Sequence, residues 1–204
     1  MRQRIFSRLR LMAAIVALTG CVGWATAGDA QTVTGQARAV QVTVLGSLTV
    51  LGSQTVLSDT GALTGGDDAR QASQVTGAVP SVLTAEALHA TTIGWPDQAV
   101  SAASLAGLAV TVAGNGITAG FVMARAAAIL GGAGAGDTDI DALSINGAPI
   151  TVTGQPNQTI PLLRGRVIIN EQQPLFPSGM TVNALHIVID GVADVVIASA
   201  TAGI

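Results

Sequence analysis

The sequence predicts an all-β fold, an antiparallel β-sandwich or a barrel-like variant of it. Three observations carry the prediction. Short runs rich in Val, Thr, Ile, Leu and Ala recur along the chain. Gly, Asn, Asp and Pro interrupt them at near-regular intervals. Several of the runs alternate apolar with polar side chains, the period of a half-buried strand.

In chain order, residues 28–38 are small and polar and read as a flexible lead-in to a single β-rich domain over 39–204. Gln41-Val42-Thr43-Val44-Leu45 alternates, and Leu48-Thr49-Val50-Leu51 follows Gly46-Ser47 as a second strand-like run. Leu57 to Gln74 is polar and glycine-rich, with Gly65-Gly66-Asp67-Asp68 as a turn. Val82 to Thr92 fits a strand or a short helix, because Ala85-Glu86-Ala87-Leu88-His89-Ala90 also suits a helix. Trp95-Pro96-Asp97 is a turn. Leu108 to Val112 reads as a strand, and Asn115-Gly116 predicts a tight hairpin into Ile117–Leu130, read as strand. After the glycine loop 131–136, Leu143–Gly147 and Ile150–Gly154 form two runs around a second Asn-Gly. Thr159–Leu163 and Val167–Asn170 follow, then a loop with Pro174, Pro177 and Gly179. Val182–Ile189 and Val195–Ala202 close the chain around Asp190-Gly191.

Simple alternation along Val195–Ala202 places Val196, Ala198, Ala200 and Ala202 on one face, all small. Small faces allow close stacking, which makes a β-solenoid the alternative architecture. No residue pattern recurs at a fixed period, so the sandwich is preferred.

The N-terminus reads as a secretory signal peptide over residues 1–27. Arg2, Arg4, Arg8 and Arg10 precede the apolar run Leu11–Leu18, and Ala25-Thr26-Ala27 offers a cleavage site after Ala27. The run falls short of the roughly 20 residues of a membrane span. A second processing signal overlaps it. Leu18-Thr19-Gly20-Cys21 resembles a lipobox, in which residues 1–20 are removed and Cys21 is lipidated.

Only 10% of the 204 residues are charged and 2% are aromatic, against 49% hydrophobic. The nine basic residues are all Arg and the formal charge is −3, which argues against nucleic acid as a partner. Cleavage after Ala27 leaves five Arg against twelve Asp and Glu, a formal charge of −7, and no cysteine for a disulfide.

The run VSAASLAGLAVTVAGNGITAGFVMARAAA, within Ala87–Ala128, is followed in order by four further segments. They are INGAPITVTGQPNQTI (Ile145–Ile160), RVIINEQ (Arg166–Gln172), VNALHIVI (Val182–Ile189) and DVVIASATAGI (Asp194–Ile204). Over about residues 75–204 this order resembles the bacterial choice-of-anchor P family. The resemblance implies a surface or secreted protein of undetermined activity, and no catalytic residue is carried over from it. Anchored members bear a C-terminal attachment signal that the segment ending at Ile204 does not show. Attachment is therefore expected through a lipid on Cys21 or through a partner.

Candidate chemistry is sparse. Asp137, Asp139 and Asp141 alternate after the glycine loop and are the candidate ligands for Ca2+, although Ala142 and Ala148 stand where an EF-hand needs Gly and Glu. Asp67-Asp68 and Asp190 with Asp194 are weaker versions. Simple alternation puts His186 on a side with Val182, Ala184 and Val188, and a structural hydrogen bond is its expected role; no second ligand lies near His186 or His89 in sequence. The glycine loop precedes acids that would repel phosphate, and no nucleophile motif occurs. Three functions follow in order of preference. The first is an exported structural or adhesive protein without catalytic activity, found at the cell surface or outside it, its partner an envelope or matrix component or a second copy. Its only membrane contact would be an N-terminal lipid. The second is a Ca2+- or glycan-binding surface module. The third is a secreted hydrolase using Glu171 with a distant Asp or His186.

Overall fold

The structure, a computed structural model, describes residues 32–45 and 52–204. Two antiparallel sheets pack face to face as a β-sandwich, with no closed barrel and no solenoid. The first sheet runs in the order β10 (Gln158–Leu162), β11 (Gly165–Pro174), β12 (Gly179–Ile189), β13 (Ala193–Gly203), β1 (Thr34–Val44), β2 (Ser53–Asp59). The second runs β3 (Ala69–Val79), β4 (Leu83–Trp95), β5 (Gln98–Val112), β6 (Asn115–Ile129), β8 (Ser144–Ile145), β9 (Ala148–Pro149), with β7 (Ala135–Asp141) also on β6. Among the described residues there is no helix, so Val82–Thr92 resolves as strand.

Several local expectations shift. The lead-in is shorter than expected, because β1 begins at Thr34 and pairs Thr34–Arg38 with Gly203–Ser199. These small, polar residues show no apolar alternation, and their place comes from the sheet. A Cβ on Gly35 would stand 2.5 Å from Thr92 Oγ1, so glycine is required by space. The run Leu48–Leu51, like Cys21 and the Ala27 cleavage site, lies outside the described residues. The glycine-rich stretch after Leu57 contains strand at both ends, and its turn sits at Gly65–Asp68 as expected. In the β5–β6 hairpin the tight turn is Ala113-Gly114, with φ of 47° and 80°, one step before Asn115-Gly116. Asn115 opens β6 instead, and its buried amide donates to the carbonyls of Val112, Ala113 and Leu163. The second Asn-Gly makes the turn it predicts, with φ of 52° and 79° at Asn146 and Gly147. Ile150–Thr153 joins no ladder; its main chain is held instead by the Gln158 side chain, which bonds Thr151 and Thr153.

A crease crosses both sheets. Asn170, Ala198 and Ser58 in the first sheet have φ of 52°, 51° and 48°; Ala87, Gly107 and Ala142 in the second have 48°, 55° and 52°. At each sheet's crease the ladder skips a pair: Ile169 faces Leu185 and Glu171 faces Asn183, but Asn170 and Ala184 do not pair. Such bulge-like residues reverse which side chains face inward. On β12, Val182 and Ala184 are buried, then Leu185, Ile187 and Ile189. On β13, Val195 and Ile197 are buried, then Ala198, Ala200 and Ala202, so Val196 leaves the small face to which simple alternation assigned it.

The crease separates two kinds of core. One half is filled by Val40, Val42, Leu108, Val110, Ile117, Ile169, Leu185, Ile187, Ile189 and Ile197. The other is lined mostly by Ala37, Ala90, Thr92, Ala99, Ser101, Ala103, Ala124, Ala126, Ala128, Ala200 and Ala202, with Leu88, Leu105, Val122 and Val182 next to the crease. There the sheets come so close that Ser101 Oγ donates to the Thr201 carbonyl of the opposite sheet at 2.6 Å, with Thr92 Oγ1 2.7 Å behind it. A serine side chain is too short to reach the facing main chain across the about 10 Å of ordinary sheet packing, so the sheets stand closer here.

Candidate functional site

The densest group of ionisable side chains among the described residues lies on the outer face of the first sheet and straddles the crease. Asp59, Arg38, Ser199, Asn183 and Glu171 stand opposite one another on β2, β1, β13, β12 and β11, a polar row across five strands. At one end, Asp59 accepts from the Gln36 side chain at 2.8 Å, from Arg38 Nε at 3.2 Å and from the Gly61 N–H at 2.8 Å. Burial pushes the Asp59 carboxyl up, but those donors outweigh it and hold it below the usual carboxylate range.

At the other end the crease changes the geometry. Asn183 and His186, three residues apart, become successive outward residues of β12, because Ala184 and Leu185 both face the core. His186 therefore shares its face with Val188 but not with Val182 or Ala184, a correction to simple alternation. Its ring reaches across the crease to Glu171. Glu171 Oε2 accepts from Asn183 Nδ2 at 2.7 Å and lies 2.9 Å from His186 Nδ1. The other ring nitrogen, Nε2, lies 3.1 Å from Asp194 Oδ2, which sits diagonally across the β12–β13 pair.

An ionised carboxylate only accepts hydrogen bonds, so both contacts are satisfied together only when both ring nitrogens carry protons. The geometry thus favours the imidazolium form of His186 between the two carboxyl groups. The bond to Glu171 raises its pKa, partial burial opposes this, and Asp194 raises it further. Glu171 is lowered, first by His186, against the opposing effect of burial, with Asn183 adding to the lowering. In that form the ring has no free nitrogen with which to take a proton from a nucleophile.

The acidic triplet lies elsewhere. Asp137, Asp139 and Asp141 all project from one exposed face of β7. Alternate residues of a strand are about 6.6 Å apart, too far for three carboxylates to close on one ion. Asp137 is instead an exposed partner of Arg125, 3.1 Å from its Nε. Among the described residues no group of three or more His, Cys, Asp or Glu is placed to hold a metal. Asp68, one of the weaker candidates, serves its own turn: the N–H and hydroxyl of Thr64, with Arg70, draw its pKa down to about 2. His89 sits beside Ser73, Gln74 and Val75 in a shallow groove on the outer face of the second sheet.

Glu171, His186 and Asp194 were each visible in the sequence, but their meeting was not. Hairpin register places Glu171 opposite Asn183; only the crease brings His186 to the same side. Compared with known proteins, the chain matches no family model, no curated protein and no solved structure.

Proposed function

We propose that this is an exported bacterial protein of the cell surface or exterior, structural or adhesive in role and without catalytic activity. The observation that carries the reading is the self-satisfied state of its ionisable cluster. His186 spends both nitrogens on Glu171 and Asp194, and Glu171 spends the same oxygen on Asn183. The grouping that a hydrolase reading would recruit, Glu171 with His186 and an Asp, here ties three strands together. Export is supported by the Arg-rich start, the Leu11–Leu18 run and the Ala25-Thr26-Ala27 site. The order of segments over 75–204 that resembles the choice-of-anchor P family supports a surface location.

The test is fractionation of the producing cell, intact-mass measurement of the mature chain, and assay of the purified protein. The expected chain starts at Gly28, or at an acylated Cys21, and is found with the envelope or outside the cell. It associates with itself or with envelope material and shows no turnover of polysaccharide or peptide. A cytoplasmic, uncleaved chain overturns export. Turnover that disappears in Glu171→Gln overturns the non-catalytic role.

A further inference from the structure

The chain is poor in aromatics, and after residue 27 it has only Trp95, Phe121 and Phe176. Two of the three are exposed, and both lie at one end of the sandwich. Trp95 is 37% exposed in the β4–β5 turn and Phe176 is 99% exposed in the β11–β12 loop. Between them stand Ile129 and Leu130, 57% and 52% exposed, where β6 ends. Three separate turns are fastened together here. The Leu130 N–H donates to the Asp97 carbonyl, and Ser178 Oγ donates to the carbonyls of Ile129 and Gly132. The result is an exposed apolar tip on fixed backbone.

The chain enters the domain at the same end. Thr34 pairs with Gly203, and Gly203 pairs with Gly179, the residue after the Phe176 loop. Ten residues separate Cys21 from Thr32, eleven residue steps with a reach of at most about 40 Å. The ionisable groups of the tip are acidic or paired: Asp97 in the β4–β5 turn, Asp67, and Asp68 with Arg70. With no Lys in the chain, attraction to anionic headgroups is not what this end offers.

We propose that this end docks on a lipid bilayer, inserting Phe176, Leu130 and Ile129 into the interface with Trp95 at headgroup depth. The occupant is a lipid surface because the tip gathers exposed apolar side chains from three turns, its one cation, Arg70, is spent on Asp68, and the N-terminal segment enters the domain at this end. Phe and Trp side chains partition into such an interface without charge. This goes beyond the structural role above and holds whether Cys21 is lipidated or removed.

The test uses the full chain carrying Trp24→Phe, so that Trp95 is the sole indole, with phosphatidylcholine vesicles containing brominated acyl chains. Quenching of Trp95 emission is expected, insensitive to salt. It should fall about tenfold in apparent vesicle affinity in the double variant Phe176→Asp, Leu130→Asp. Both positions are exposed, and an unchanged melting temperature confirms that the fold is intact. Unquenched Trp95 in the parent chain, or equal quenching in parent and variant, overturns the proposal. So does concentration-dependent dimerisation without vesicles that the double variant abolishes, because the tip is then a protein interface.

Discussion

On one side of the crease the sandwich is filled by Leu, Ile and Val; on the other, beyond Leu88, Leu105, Val122 and Val182 at the crease, it is lined mostly by Ala, Ser, Thr and Gly. The two halves share strands, yet they are held by different physics. In the aliphatic half each fully buried Leu or Ile contributes about 1.5–3 kcal/mol by leaving water. In the small-residue half little side-chain area is available. Stability there comes from close approach of two sheets and from polar links that need such approach, such as Thr92–Ser101–Thr201. The first half tolerates shape changes at the cost of cavities. The second tolerates loss of atoms but not their addition.

The contrast can be broken most sharply with Ile187→Ala. This is expected to lower unfolding free energy by about 4 kcal/mol, read by urea denaturation, because a fully buried chain leaves a cavity in the aliphatic half. Ala200→Leu, in the other half, should cost about 3 kcal/mol by the opposite route, overpacking. If the two halves were equivalent, an Ala→Leu change in the aliphatic half, such as Ala193→Leu opposite Ile189, would cost as much as Ala200→Leu; a clearly smaller loss there sharpens the difference.

A smaller effect is expected on the outer face, where Glu171 and His186 bind across the crease. His186 has a raised pKa in the folded state, so its contribution is complete below the ordinary value of 6.5 and disappears as pH rises through the raised one. Glu171 is lowered, so its contribution is complete above the ordinary 4.5 and disappears as pH falls through the lowered value. The pair therefore stabilises most between those two values. His186→Gln should remove on the order of 1 kcal/mol near pH 5.5 after allowance for solvent screening, and much less at pH 9. Equal melting-temperature losses at both pH values would show that the charge on His186 is irrelevant.

The smallest expected effect is a gain. Ala87 and Ala142 are exposed and carry φ of 48° and 52°, where a Cβ is crowded. Ala142→Gly and Ala87→Gly should each stabilise by about 0.5–1 kcal/mol, visible as a small rise in melting temperature.

Much of this architecture could be read in advance. Alternation marks β1 from Gln41 and β12, and Asn146-Gly147 makes the turn its residues favour. The crease could not be read, because four of its six residues, Ser58, Ala87, Ala142 and Ala198, are types that give no sign of positive φ. Everything that depends on phase inherits that gap: the true face of His186, the departure of Val196, and the meeting of Glu171 with His186. The start of β1 was hidden for another reason. Thr34–Arg38 belongs to a strand because Ser199–Gly203 pairs with it, and that partner lies more than 150 residues away.

That pairing governs how the domain would respond to force. The first and last strands lie side by side, antiparallel, with Thr34 against Gly203. Tension applied between these two ends loads the β1–β13 hydrogen bonds one at a time from a single edge, like a zipper, and does not shear them all at once. The domain is therefore mechanically weak as a link in a stretched chain. Load entering through the N-terminus is better carried out through a face or a tip of the sandwich than through its last strand.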